Sequence, residues 1–308
     1  LTRYKYDGAP LASMTKILDY TDKLDYLVVS HTQPDESRLD YSGDNLYAGL
    51  ARKLRLIEGP DQVLDMHKWH HKMHASCAFY RSGFSSAVAV IVDGAGTFIP
   101  MNINNEEQMV WELESIIECA YPDKFKTLYK HLGGRGPFPS VRIPEQDSKR
   151  EGEDGTHELI IDDTAGIVKA YEAVTQYCGW SPIEAGKTMG LFPYGGLVDY
   201  FPDIYSDAGG SDWKSTDRNL IIPTYPNGAL INAGRYKKLN TTEKEFEGDV
   251  TLLDNRRDMA YAVQTESQQM VLDLIRKAVK MSGNRNVVLS GGYGLNCVAN
   301  YWYLGELE

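Results

Sequence analysis

The chain has 308 residues, 42% hydrophobic and 11% aromatic, enough apolar side chains for one large or two medium cores. Its formal net charge of −11 argues against nucleic acid as a partner, since that binding depends on a basic face. No apolar run nears the roughly 20 residues of a membrane span, the first residues form no hydrophobic signal segment, and Cys77, Cys119, Cys178 and Cys297 lack paired spacing, so a cytoplasmic protein with reduced thiols is expected.

In chain order, Leu24 to Ser30 reads as a strand and Tyr41 to Arg55 as a helix. The segment Asp65-Met-His67-Lys-Trp-His70-His71-Lys-Met-His74 then holds four of the seven histidines. A helix over residues 66–80 sets His70 and His74 one turn apart on one face, where two imidazoles can grip one ion. His67 and His71 fall together on an adjacent face, as further site groups or as ordinary helix residues. The zinc-protease pattern His-Glu-x-x-His is absent, because His71 stands where the glutamate base belongs.

Ala87 to Val92 is apolar on both faces, the pattern of a strand covered on each side. It runs into Asp93-Gly94-Ala95-Gly96-Thr97, where Asp93 can add an oxygen ligand to the histidines and the glycines let backbone N–H groups approach an anion. A mixed N/O set suits iron, zinc or manganese better than magnesium. The plain alternative for Asp-Gly after a strand is a hairpin turn.

The basic runs Lys124 to Lys130 and Arg235 to Lys238 read as solvated helix faces. Residues 144–158, charged and nearly free of apolar side chains, read as a surface loop, and residues 200–226 as irregular; such connections are where a scaffold shapes an acceptor pocket. Gly186-Lys187-Thr188 ends like a P-loop, but Ser181 occupies the position of the required upstream glycine, which leaves Lys187 as a point charge for a phosphate. An amphipathic pattern from Asp258 to Met281 stops at Ser282-Gly283-Asn284 and gives way to a buried strand at Val287. Gly291-Gly292 follows it, with a helix starting near Leu295-Asn296. That turn is either a nucleotide contact at a helix N-terminus or a tight strand-to-helix connection.

Four motifs in one order make a more specific pattern. They are His70-His-Lys-Met-His74-Ala-Ser-Cys-Ala-Phe-Tyr-Arg-Ser-Gly83-Phe, Asp93-Gly94, Glu184-Ala-Gly186-Lys187-Thr-Met-Gly190-Leu, and Leu289-Ser-Gly291-Gly292-Tyr-Gly-Leu-Asn296-Cys-Val-Ala-Asn300. On these the chain resembles the carbamoyltransferase family of nodulation-factor and antibiotic O-carbamoyltransferases, from about Tyr26 onward, with weak stretches near 98–160 and 196–250. The resemblance implies an α/β, actin-like ATPase (ASKHA) fold of two lobes, each a mixed sheet flanked by helices, related to the tRNA threonylcarbamoyladenosine-forming proteins. Residues 1–160 would form the lobe with the metal helix and 161–308 the lobe with the nucleotide turns.

By position, His70, His74 and Asp93 match the family's metal ligands, which implies iron first, with zinc or manganese as alternatives. Gly94, Gly96, Gly186, Lys187, Gly190, Gly291, Gly292 and Asn296 would cradle an adenylate. In such enzymes a second domain makes carbamoyl-adenylate from ATP and carbamoyl phosphate, and the actin-like domain passes the carbamoyl group to an acceptor hydroxyl. Asp93 would serve this catalysis as a ligand, and His71, with His67 as the alternative, would take the hydroxyl proton. The family's N-terminal His-Asp-Ala-Ser type motif has no counterpart here, and a further metal aspartate and the adenylate-forming domain would lie past Glu308. The expectation is a portion of a longer protein, or a reduced relative served by a separate partner. A homodimer is compatible with all of this. The competing functions are metal-dependent hydrolysis and an inactive nucleotide-binding partner of actin-like fold.

Overall fold

The computed structural model describes residues 10–30, 32, 42, 47–103, 105–135, 141–143, 158–199, 203–205, 220–224, 227–232 and 254–307. The chain divides into two compact units, Leu1–Met73 and His74–Glu308.

The first unit carries helix α1 (Pro10–Ile17), strand β1 (Leu27–Val29), helix α2 (Ala48–Lys53) and strand β2 (Val63–Asp65), with β1 and β2 paired in parallel. Met14, Ala51, Leu56 and Ile57 form its core. The strand expected over residues 24–30 is confined to β1. The end of the helix expected over 41–55 is α2, and residues 41 and 43–46 lie outside the described residues.

Helix α3 (His70–Ser82) is preceded by a separate 3-10 turn, His67–Trp69. This corrects the single helix expected over 66–80. Asp65 is the physical reason: its carboxylate accepts the His67 N–H at 2.9 Å and binds His67 Nδ1 at 2.6 Å, fixing a tight turn ahead of the helix. His67 therefore does not share an α-helical face with His71.

In the second unit the main sheet has the order β11-β3-β5-β6-β8-β7, with β4 also paired to β5. Its strands are β3 (Ser86–Val92), β4 (Phe98–Ile103), β5 (Glu106–Ala120), β6 (Lys124–Gly133), β7 (Val141–Ile143), β8 (Glu158–Asp162) and β11 (Val287–Ser290). Parallel pairs (β11–β3, β6–β8) and antiparallel pairs coexist. Side chains alternate across β3, so helices can seal both sides. Ala87, Ala89 and Ile91 meet Ala75 and Phe79 of α3. Val88, Val90 and Val92 enter the larger core shared with α4 (Gly166–Tyr177) and α6 (Asp254–Ser282). The chain is thus α/β, a mixed sheet flanked by helices, as expected.

The expected division at residue 160 falls inside β8, one strand of this sheet. The Lys124 to Lys130 run is strand β6 rather than a helix face, because cross-strand carboxylates fix it there: Lys124 meets Glu118 at 3.0 Å and Lys130 meets Glu112 at 2.7 Å. Arg235 to Lys238 and residues 144–157 lie outside the described residues, as do most of residues 200–226, where Ile221–Thr224 is strand β9, paired with β10 (Gly228–Ile231). Among the described residues no helix is long and apolar enough to cross a membrane.

The amphipathic segment expected over 258–281 is α6, and Gly283 ends it at φ 68°, its N–H donating to Val279 O at 2.9 Å. Gly291 holds φ 92°, and a Cβ there would sit 2.3 Å from the Val92 carbonyl oxygen. Gly291→Ala is expected to cost at least about 2 kcal/mol of unfolding free energy, since strain and clash act together. Urea unfolding measures it, and a loss below about 0.5 kcal/mol would mean the crossing tolerates a side chain.

Candidate metal centre

His70 opens α3 and His74 follows one turn on; Asp93 stands just past the end of β3. One ligand atom from each of the three lies within 4.8 Å of the others, and all three residues are half-buried. His74 Nε2 and Asp93 Oδ2 are 3.4 Å apart. Two ligand atoms each ~2.1 Å from one ion sit about 3.0–3.4 Å from each other in octahedral or tetrahedral coordination, so this pair is already at ligand spacing. Two imidazoles and one carboxylate gathered within 4.8 Å are a donor set that suits a divalent first-row ion.

β11 and the turn that follows it supply neighbours to Asp93 and His74. Asp93 Oδ1 accepts the Gly292 N–H at 3.0 Å, leaving Oδ2 toward His74. Ser290 Oγ stands 3.5 Å from His74 Nδ1, the ring nitrogen other than the one near Asp93. The Asp93-Gly94 turn is no hairpin, because β4 pairs with β5 and not with β3.

The remaining expected residues are placed less uniformly. His71 is buried, 1% exposed. A Cβ on Gly94 would come within 3.3 Å of Val168 Cγ1 and 3.4 Å of Lys169 Nζ, a close backbone approach. Gly96 spends its N–H on Glu112 O at 2.8 Å. Gly186, Lys187 and Gly190 lie within helix α5 (Ala185–Leu191), so Lys187 is not on the expected turn; it pairs with Glu184 at 2.9 Å and lies over the Trp180 ring. Asn296 caps helix α7 (Cys297–Glu306): its Oδ1 accepts the Ala299 N–H at 3.1 Å and its Nδ2 donates to Gln264 at 3.0 Å. Both ends of that buried amide serve the fold.

One polar cluster was not foreseen. His131 on β6 binds Glu114 at 2.6 Å through Nδ1 and Asp162 at 3.0 Å through Nε2. Glu114 also accepts the Ile167 N–H at 3.1 Å, and Asp162 accepts from Thr164 N and Oγ1, so the cluster ties β5, β6 and β8 to the start of α4. Burial alone would lower the His131 pKa, but the two carboxylates outweigh it and push it up to about 10. The available signal was a Glu-x-Glu pair inside an apolar run, Glu112 and Glu114, facing a Lys-His pair downstream.

A family model described as carbamoyltransferase N-terminus matches residues 25–306. The chain belongs to this carbamoyltransferase family. Among its relatives, the uncharacterized protein sll1178 of Synechocystis is 24% identical over 249 residues, covering 77% of this chain and 31% of that protein. The nodulation protein NolNO of Sinorhizobium fredii is 22% identical over 235 residues, covering 75% of this chain and 26% of that protein. The chain thus spans under a third of the length of these relatives. A crystal structure of full-length HypF in a phosphate- and nucleotide-bound form is similar over 92% of this chain and 42% of that one, with 14% identity and a TM-score of 0.41.

Proposed function

We propose that this region performs the transfer half of an O-carbamoyltransferase reaction, moving a carbamoyl group from carbamoyl-adenylate to the hydroxyl of a small-molecule acceptor. One observation carries the reading: in a chain of the carbamoyltransferase family, His70, His74 and Asp93 converge within 4.8 Å beside the glycine turn that follows β11. The carbamoyl donor would be formed from ATP and carbamoyl phosphate by an adenylate-forming domain, in the same polypeptide or a partner, in the cytoplasm. An actin-like fold goes with this reading, and nucleic acid has no part in it.

His70, His74 and Asp93 would hold the ion, iron in the first place. When bound it supplies Lewis acidity at the carbamoyl or phosphate oxygen. In the transfer the acceptor oxygen bonds to the carbamoyl carbon, the bond from that carbon to the AMP oxygen breaks, and AMP leaves. The adenylate would lie beside Asp93 and Gly292; Gly94 faces Val168 and Lys169, Gly291 faces the Val92 carbonyl, and Lys187 is held by Glu184 on α5.

The hydroxyl proton passes in this reading to His67 rather than His71, because a side chain 1% exposed cannot meet an acceptor. Asp65 holds the His67 ring through Nδ1, the arrangement that orients an imidazole base. His67→Asn is expected to lower kcat by about 10²-fold or more with metal content unchanged. Asp65→Asn should give a smaller loss, about tenfold, in the same parameter. Steady-state rates beside metal analysis check both, and an unchanged kcat in His67→Asn removes this residue from the chemistry.

The reading as a whole is tested by mixing metal-loaded protein with preformed carbamoyl-adenylate and a panel of sugars, nucleosides and hydroxymethyl compounds. A carbamoylated product together with AMP supports transfer. AMP with ammonia and carbon dioxide, whatever acceptor is added, would make the protein a hydrolase. No turnover with normal metal binding would make it a nucleotide-binding partner.

A further inference from the structure

Helix α7 buries Ala299 and Tyr303 and turns a second apolar stripe outward. Cys297, Tyr301 and Leu304 follow one another at spacings of four and three, which places them on one face. Tyr301 is 80% exposed and Leu304 67%, with Leu295, just ahead of the helix, at 63%. Cys297 Sγ lies 3.9 Å from Met189 Sδ, so the stripe continues onto α5. Helices on a protein surface normally keep their outward face polar, and a contiguous apolar face of this kind marks an interaction site.

The relatives indicate what covers it. The matched region is 31% of one and 26% of the other, and the family's description calls it an N-terminus, so in those proteins this fold is joined to a much larger remainder. We propose that the outward face of α7, with Met189 of α5, is the docking surface for the polypeptide that follows this region in the longer family members. Aromatic and aliphatic side chains that pack against one another across two parts of a protein need no charge match, and Tyr301 can bury its ring while its hydroxyl stays wet. This inference rests on family membership and exposure alone, so it stands or falls apart from the carbamoyl chemistry.

Cys297 is a built-in reporter, exposed on the same stripe, and Cys77, also exposed, is the internal control. The experiment compares alkylation of the two thiols by peptide mass spectrometry in the 308-residue chain and in the full-length product of its gene. If the gene encodes nothing longer, the second sample is the chain mixed with the separately expressed portion of NolNO that follows its matched region. Alkylation of Cys297 is expected to be at least about tenfold slower in the second sample, with Cys77 unchanged. The double variant Tyr301→Glu with Leu304→Glu should restore the fast rate, and its circular dichroism should match wild type because both residues face solvent. Equal rates in the two samples overturn the proposal. Slowing that appears in the 308-residue chain alone as its concentration rises also overturns it, since a second copy then occupies the face.

Discussion

Replacing His74 with alanine is expected to lower bound metal per chain by at least about tenfold and carbamoyl transfer by about 10²-fold or more, with unfolding free energy nearly unchanged. The half-buried ring packs little apolar surface, so its loss removes a donor rather than a piece of core. His70→Ala should do the same. Asp93→Asn should weaken metal binding less, because the amide keeps one oxygen and can still accept the Gly292 N–H. Metal analysis by mass spectrometry after gel filtration reads the effect without any substrate. Full metal content in both histidine variants would remove the ion from this site and the proposed chemistry with it.

The second large effect lies away from that centre. His131→Gln is expected to lower the unfolding free energy by about 3–5 kcal/mol at pH 6, because it leaves the carboxylates of Glu114 and Asp162 buried without their cation. The pH dependence has a definite sign. The imidazole pKa rises from 6.5 in the unfolded chain to about 10 in the folded one, so the folded state holds the proton more tightly. Its contribution is fully present below pH 6.5 and is lost as pH rises toward 10, at up to about 1.4 kcal/mol per pH unit. Asp162 titrates in the other direction: burial raises its pKa, but the His131 and Thr164 hydrogen bonds outweigh this and lower it, so its own contribution is lost on acidification. Urea unfolding of wild type and variant between pH 6 and 10 checks the claim. Parallel stability curves would mean that His131 is neutral in the fold.

The difference between these two clusters explains which parts of the molecule were legible from residues alone. The convergence of His70, His74 and Asp93 could be read because two of them belong to one helix, where a spacing of four fixes proximity, and the third follows an unmistakable apolar strand. The same local logic found α6, its Gly283 stop and the strand after it. His131, Glu114 and Asp162 come from three strands, and nothing local states that β6 lies between β5 and β8. The long β5 strand hides its pattern, since Glu112, Glu114 and Ser115 are buried in it and break the expected alternation of apolar and polar residues. Misreading Lys124 to Lys130 as a helix face has the same origin: its lysines are held by carboxylates on another strand. At Asp65 the reason is of another kind, because one carboxylate bonding the His67 N–H and ring overrides helix periodicity for one turn.

The hydrogen bond from Gly292 to Asp93 joins residues 199 apart. A ribosome therefore delivers both imidazoles and the carboxylate long before it makes the strand that aims that carboxylate. Until β11 pairs with β3, the Gly292 N–H cannot reach the Asp93 carboxylate, and the three side chains belong to an unfinished chain. The grouping of His70, His74 and Asp93 is therefore finished by a contact between distant parts of the sequence, and a chain cut before β11 would lack the bond that aims Asp93.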